Sequence, residues 1–342
     1  MDGRSRAVTI ADVAARAGVS QASVSRVLNG KQSVDPAIVR SVQAAIAALG
    51  YSPSVTARNL VHGRNDTIAM VVPDLENPLF QGILKGLSLA AAADGYRVLV
   101  ADTAERVDDE EATAVEARQR CDALVLCAPR MPEDRLRRLV ERVAPVVVVN
   151  RPLPEADVPI VGVDYVRGIR DLVDHLVGLG HRRLAYVTGP ATSASNAERL
   201  RGVDEALAAH PCVRIDRIPG GSRPEDGDTA ADAVLEAHRA GVTAVIAFND
   251  LVALGLMTRL RELGVDIPGD LSVAGFDDVP MARFATPRLT SMSVPRAEIG
   301  AQAWARLRTL IGGGPVEHTV LYRPRLEARE STAAPARAAA SA

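Results

Sequence analysis

From residue 66 to about residue 331 the chain alternates short apolar runs with helical stretches, and few architectures accept that rhythm. Apolar runs stand at 67–73, 96–101, 123–127, 145–149, 184–187, 244–248 and 271–275. They have the length of strands, and their near-continuous aliphatic character is that of strands covered on both faces. Helical spacing fills 78–93, 110–120, 165–179, 195–209, 228–240, 250–263 and 295–311 between and beyond them. A strand–helix–strand succession of this kind builds parallel, doubly wound α/β sheets. Ligands of such folds sit at the carboxyl ends of the strands.

The first fifty residues follow a different plan. Thr9, with Asp12 three residues on, forms a capping box for a helix over 10–17. Ile10, Val13, Ala14 and Ala17 share one face of it, and Gly18 supplies the left-handed turn that ends it. Ser20 caps a second helix running from Gln21 to about Asn29. Val24, Val27 and Leu28 face inward, leaving Gln21, Ala22, Ser25, Arg26 and Asn29 on the other side. Asp35 and Pro36 open a third helix, whose apolar stripe ends at Leu49 before Gly50. Two helices about a tight glycine turn, braced by a third, make a small all-α helix-turn-helix domain. A generic three-helix bundle would share the periodicity, so charge has to separate the two. Residues 1–64 carry a net charge of +5 and the remainder −7, for a total of −2. A basic end on an acidic body suits contact with a polyanion.

Composition narrows the function classes. Apolar residues at 47% and charged residues at 24% exclude a mostly disordered chain. No apolar run approaches the ~20 residues of a membrane span. The opening Met1-Asp2-Gly3-Arg4-Ser5-Arg6 lacks the apolar core of a secretion signal, so a cytoplasmic protein without membrane contact is expected. Cys121, Cys127 and Cys212 are too few and too scattered for a disulfide framework, and the six histidines have no metal spacing. No cofactor is implied. No G-x-G-x-x-G follows the first strand, and neither a Walker loop nor a G-x-S-x-G elbow occurs, so an enzyme is not expected.

The segment Thr9-Ile10-Ala11-Asp12-Val13-Ala14-Ala15-Arg16-Ala17-Gly18-Val19-Ser20, then Ala22-Ser23-Val24-Ser25-Arg26-Val27-Leu28-Asn29-Gly30, resembles the opening of lactose-repressor (LacI/GalR) family regulators. Leu49-Gly50-Tyr51-Ser52-Pro53, Ala57-Arg58-Asn59-Leu60 and the closing Arg329-Glu330-Ser331-Thr332 extend the resemblance over nearly the whole chain. It implies a helix-turn-helix DNA-binding domain (1–53) and a hinge helix with linker (54–65). It further implies a bilobed effector-binding and dimerisation domain (66–331) of the periplasmic-binding-protein-like plan. The N-subdomain would take about 66–162 and 293–321, and the C-subdomain about 163–291 and 322–331. Residues 332–342, Ala-rich and without leucine heptads, read as a disordered tail that leaves a homodimer rather than a tetramer.

By this resemblance Gln21, Ala22 and Arg26 face bases. Arg26 can grip a guanine through two hydrogen bonds, Gln21 can read adenine, and Ala22 offers a methyl to thymine or makes no contact. Ser20, Ser23, Ser25 and Asn29 suit phosphates, which fix register. Leu60 would wedge into the minor groove of the operator, with Ala57 small enough for close approach. The resemblance marks Asn249 and Asp277 at strand ends, and Arg199 on a helix start after the Gly189-Pro190 loop, as effector-binding positions, and Phe80, beside Leu79, as an apolar face for a ring. Asn150, which follows the fourth strand, belongs with them. Caps and turns are the alternative uses of Asn249, Asp250 and Asp277. Arg223 stands where the family often has an aromatic. Lining the pocket, it would favour an anionic effector such as a sugar acid or phosphate, and on an exposed loop it would not.

These readings converge on a bacterial, nucleoid-associated transcriptional regulator, a repressor on double-stranded DNA with a pseudo-palindromic operator. A small sugar or sugar derivative controls it allosterically. The alternatives are a sensor of the same fold answering to an anionic metabolite or a protein co-effector, and a solute-binding protein, which the first sixty residues oppose.

Overall fold

The computed structural model describes residues 8–28, 34–51 and 65–336. Met1–Asn65 and Asp66–Ala342 form two separate compact units.

In the first unit α1 (Ile10–Ala17), α2 (Gln21–Leu28) and α3 (Pro36–Leu49) pack around Val13, Ala14, Val24, Val42 and Ala45. The Thr9–Asp12 box is formed in both directions, with Thr9 N–H donating to Asp12 Oδ2 at 2.8 Å and Asp12 N–H to Thr9 Oγ1 at 3.4 Å. Gly18 adopts φ +69°, the left-handed value that lets the chain turn sharply into α2. Asp35 caps α3 through Ala37 N–H at 2.7 Å.

The second unit has two six-stranded sheets. The first joins β1 (Thr67–Val72), β2 (Arg97–Asp102), β3 (Ala123–Cys127), β4 (Val146–Val149), β5 (Ile160–Val163) and β11 (Thr319–Tyr322). Its order is β11-β5-β4-β3-β1-β2, parallel throughout. The second joins β6 (Arg183–Val187), β7 (Arg214–Ile218), β8 (Ala244–Ala247), β9 (Ser272–Asp277), β10 (Thr290–Ser293) and β12 (Arg325–Glu327). Its order is β12-β10-β9-β8-β6-β7, parallel except for the β10–β12 pair. The helices are α4 (Pro78–Ala93), α5 (Val107–Arg120), α6 (Glu133–Arg142), α7 (Tyr165–Gly178), α8 (Ala194–Ala209), α9 (Pro224–Arg239), α10 (Asp250–Glu262) and α11 (Arg296–Ile311). The chain passes between the sheets after β5, after β10 and after β11, which makes three crossings and two lobes. One apolar cluster runs through both lobes, from Ile68 and Phe80 to Tyr186 and Phe276.

The structure adds elements that periodicity did not announce. β7 reads Arg-Ile-Asp-Arg-Ile and is a largely exposed edge strand held by pairing with β6, so it has no apolar run to detect. α6 is mostly charged and buries only Leu136, Leu139 and Val140. α9 begins at Pro224, four residues before the expected 228. The tail needs correction too. Thr332 and Ala333 are part of the fold: His175 Nε2 lies 3.1 Å from Thr332 Oγ1, and Ala333 N–H donates to Ser272 Oγ at 3.1 Å. Backbone and hydroxyl groups make these ties, and an Ala-rich composition carries no trace of them.

Candidate DNA-facing helix and effector cleft

On α2 the exposed residues are Gln21, Ala22 and Arg26, opposite the buried Val24. Ser20 is also exposed, but its hydroxyl already accepts from Ser23 N–H at 3.1 Å as the helix cap. Ser23 and Ser25 are half-buried. Asn29, Ala57, Leu60 and most of the expected hinge helix lie outside the described residues.

The second site lies where the carboxyl ends of the two sheets meet. Asn77 caps α4 by accepting from Leu79 N–H at 2.9 Å, which places Leu79 and Phe80 at the cleft. From the other lobe α8 brings Arg199, which is 1% exposed. Its guanidinium carbon lies 4.1, 4.5 and 4.3 Å from the ring centroids of Tyr165, Phe248 and Phe276. This cage holds the cation by the negative faces of the rings. Nη1 donates to Ser195 O at 3.2 Å, Nη2 reaches Asp277 Oδ1 at 3.5 Å, and Nε has no hydrogen-bond partner. Asp277 ends β9 with φ +104°, a conformation costly for a side-chain-bearing residue. Burial pushes its carboxyl up to about 7, against the pull of Arg199 and Arg296. Asn150 follows β4 at φ +54° and is 4% exposed, and neither atom of its amide has a partner. Buried side-chain amides without a protein partner are rare, and water or a ligand is what satisfies them.

Asn249 lines the same cavity while capping α10, for its Oδ1 accepts from Val252 N–H at 2.9 Å and its Nδ2 donates to Ser222 O at 2.9 Å. Only part of its amide is left for a ligand. Asp250 is fully buried and holds Ser291 Oγ at 2.6 Å and Val279 N–H at 2.7 Å, a structural use. Arg223 departs from the pocket-lining reading. It is half-exposed at the start of α9 and pairs with Asp74 of the other lobe at 3.4 Å, on the rim rather than in the cavity.

Arg130, in the loop after β3, is the arginine that reading for strand ends missed. Its Nε and Nη2 fork onto Glu105 at 2.8 Å each, and Nη1 crosses to Ser193 Oγ of the other lobe at 3.1 Å. Its position just past a strand's carboxyl end was the available signal. Together with Arg223–Asp74 and with Arg296 Nη2 donating to Asp278 O at 3.1 Å, it clasps the lobes. The cavity so enclosed is about 20 Å³, room for roughly one water. Among the described residues no helix is long and apolar enough to cross a membrane, and no group of His, Cys, Asp and Glu could hold a metal ion.

A helix-turn-helix unit and a two-lobed α/β unit with a polar interlobe cleft define the class of ligand-responsive DNA-binding regulators. Residues 9–54 match the family described as bacterial regulatory proteins, lacI family, and residues 173–332 match the periplasmic binding protein-like domain. The chain is 34% identical over 332 residues to the HTH-type transcriptional regulator GalR of Salmonella typhimurium (strain SL1344), covering 96% of each. It is 33% identical over 303 residues to the HTH-type transcriptional repressor CytR of Escherichia coli (strain K12), covering 87% of this chain and 88% of that one. The lac repressor dimer bound to operator and the anti-inducer ONPF superposes with a TM-score of 0.85 at 26% identity, over 96% of this chain and 100% of that one. The transcriptional regulator CelR in complex with cellobiose superposes with a TM-score of 0.70 at 31% identity, over 95% of this chain and 100% of that one. The chain belongs to the lacI family and is an HTH-type, DNA-binding transcriptional regulator.

Proposed function

We propose that this regulator is a cytoplasmic homodimeric repressor, not an enzyme, and that a neutral polyhydroxylated effector in the interlobe cleft sets its affinity for a pseudo-palindromic operator. The observation that carries this reading is the unpartnered Asn150 amide facing the Arg199–Asp277 pair across the cleft. Vicinal hydroxyls donate and accept at once, which is what an amide, a guanidinium and a carboxylate together require. Both arginines of the cavity already have carboxylates, Arg199 with Asp277 and Arg130 with Glu105. An added anion would compete with Glu105 for Arg130 and with the Asp277 carboxyl for Arg199. With Arg223 on Asp74, the argument for a sugar acid or phosphate loses its second arginine.

A sugar ring does not fit in about 20 Å³, so the lobes must part to admit it. Entry breaks the Arg130–Ser193, Arg223–Asp74 and Arg296–Asp278 contacts, and reclosure around the effector sets a different lobe angle. That angle is what operator binding senses. By linkage, effector and operator must change each other's affinity by the same factor. Gln21, Ala22 and Arg26 read bases, the serines and Asn29 hold phosphates, and Leu60 with Ala57 shapes the minor groove. Dimerisation is supported by exposed apolar side chains on both lobes, Leu89 and Leu99 on one and Met281 and Phe284 on the other, the last 85% exposed.

The test is a thermal-shift screen of neutral sugars, sugar acids and sugar phosphates against the wild type and Asn150→Leu. A ligand at a hundred times its Kd adds about 2.7 kcal/mol, a shift of several degrees. A neutral sugar that stabilises the wild type and not Asn150→Leu supports the reading. A response to anions alone would refute it.

A further inference from the structure

We propose that a second small-molecule site lies beside the crossings between the two lobes, in a pocket of about 690 Å³, and that it takes a small organic carboxylate with an apolar body. The pocket is walled by the segment after β4, by β5 and β11, and by parts of α7 and α8. Its volume is that of ordinary small-molecule sites. Both lobes and two of the three crossings contribute walls, so an occupant changes the energy of lobe rotation.

The apolar part of the wall includes Leu153, Val158, Val163 and Val166, all buried, and Leu321, which is 56% exposed at the rim. Most of the lining arginines are matched by carboxylates. Arg167 lies 3.0 Å from Asp171, Arg170 3.1 Å from Glu205, and Arg201 2.6 Å from Glu198. Arg151 is different. Its Nη1 and Nη2 rest on the carbonyl oxygens of Pro129 and Met131 at 3.4 and 3.2 Å, and no described carboxylate comes within ion-pair distance. It is half-buried, and burial draws its pKa down.

The second, independent observation is Asn150, which adjoins Arg151 and is 4% exposed, with neither amide atom partnered. Asn150 and Tyr165 form the wall common to this pocket and the cleft cavity. A cation with no carboxylate in ion-pair distance among the described residues, an idle amide donor and aliphatic walls match a carboxylate on an apolar body. A cationic ligand would be repelled by Arg151, whose charge Glu133 and Glu110 offset only from beyond ion-pair distance, and a neutral hydrocarbon would leave the Asn150 amide unpaired. Because Asn150 lines both spaces, occupants of the two sites are coupled and must influence each other reciprocally. The site stands whether or not the cleft effector is a sugar.

The full chain is titrated with 4-tert-butylbenzoate and with its neutral analogue 4-tert-butylbenzamide, by calorimetry or ligand-observed NMR. The expected result is saturable binding of one carboxylate per chain, about tenfold or more tighter than the amide. Arg151→Gln removes that preference. Leu321→Glu, at an exposed position, weakens the carboxylate and spares the amide. Asp277→Asn, outside this pocket's lining, leaves the preference for the carboxylate over the amide unchanged and does not tighten the carboxylate. Equal affinity for the two probes in the wild type overturns the proposal, as does a preference that survives both Arg151→Gln and Leu321→Glu. A gain in carboxylate affinity on Asp277→Asn would place the anion in the cleft, beside the Arg199 that the substitution frees, and overturn it as well, and so would an absence of saturation by either probe.

Discussion

Asp277 is the residue whose chemistry is most exposed to test. Its folded-state pKa, about 7, lies above the ordinary 3.8, so the folded protein holds its proton where the unfolded chain has released it. Stability from this group is therefore full below about pH 4 and declines as pH rises through 7. Asp277→Asn should flatten that decline and stabilise the ligand-free protein by roughly 1–3 kcal/mol at pH 8, with little effect at pH 4. Urea melts at the two pH values check this, and equal stability of variant and wild type at pH 8 would deny the penalty. An ionised Asp277 accepts from an effector hydroxyl more strongly than the neutral acid does, so wild-type effector affinity should rise from pH 6 to pH 8 and Asp277→Asn should lose that slope. On α2, Arg26→Met should cost about 1–3 kcal/mol at one base pair and relax specificity there, as read by binding to single-substituted operators. At this scale the polar residues just past strands, Asn150, Asn249 and Asp277, were legible in the sequence, and they line one cavity with Arg199 of α8, which only the family resemblance singled out. The sequence could not tell that Arg223 would be drawn to Asp74, because that carboxylate comes from the other lobe.

Elements were legible where their burial is two-sided and illegible where pairing alone holds them. The continuous runs of β1, β3 and β4 are buried strands, whereas β7 exposes three of its five residues. Close helix packing leaves a testable mark. A Cβ at Gly300 would lie 2.1 Å from Ile83 O, and one at Gly86 2.1 Å from Ala297 O, so α4 and α11 approach at backbone distance. Gly300→Val should force them apart and cost about 1–3 kcal/mol or more, measured as a lower urea midpoint, and should do so without ligand or DNA. An unchanged midpoint would mean the two helices separate freely.

For the whole molecule, the two lobes, the DNA-binding unit and the second copy must act as one device. Phe284→Asp should convert the dimer to monomers in analytical ultracentrifugation and weaken operator binding with it, since two half-sites need two recognition helices. A dimer that persists would move the interface elsewhere. The proposed dimer face was not visible in periodicity, because Phe284 is a lone aromatic in a turn and only its exposure sets it apart. The central claim is that effector in the cleft and operator on the helix-turn-helix unit are linked through lobe closure. The most direct measurement is operator affinity by fluorescence anisotropy, on a duplex selected from a random pool, with and without saturating neutral sugars that include ribose and cellobiose. The account predicts that at least one shifts wild-type affinity by about fivefold or more and that Asn150→Leu abolishes the shift while keeping operator affinity. A shift that survives in Asn150→Leu, or one produced by no neutral sugar and only by anionic ones, would contradict it.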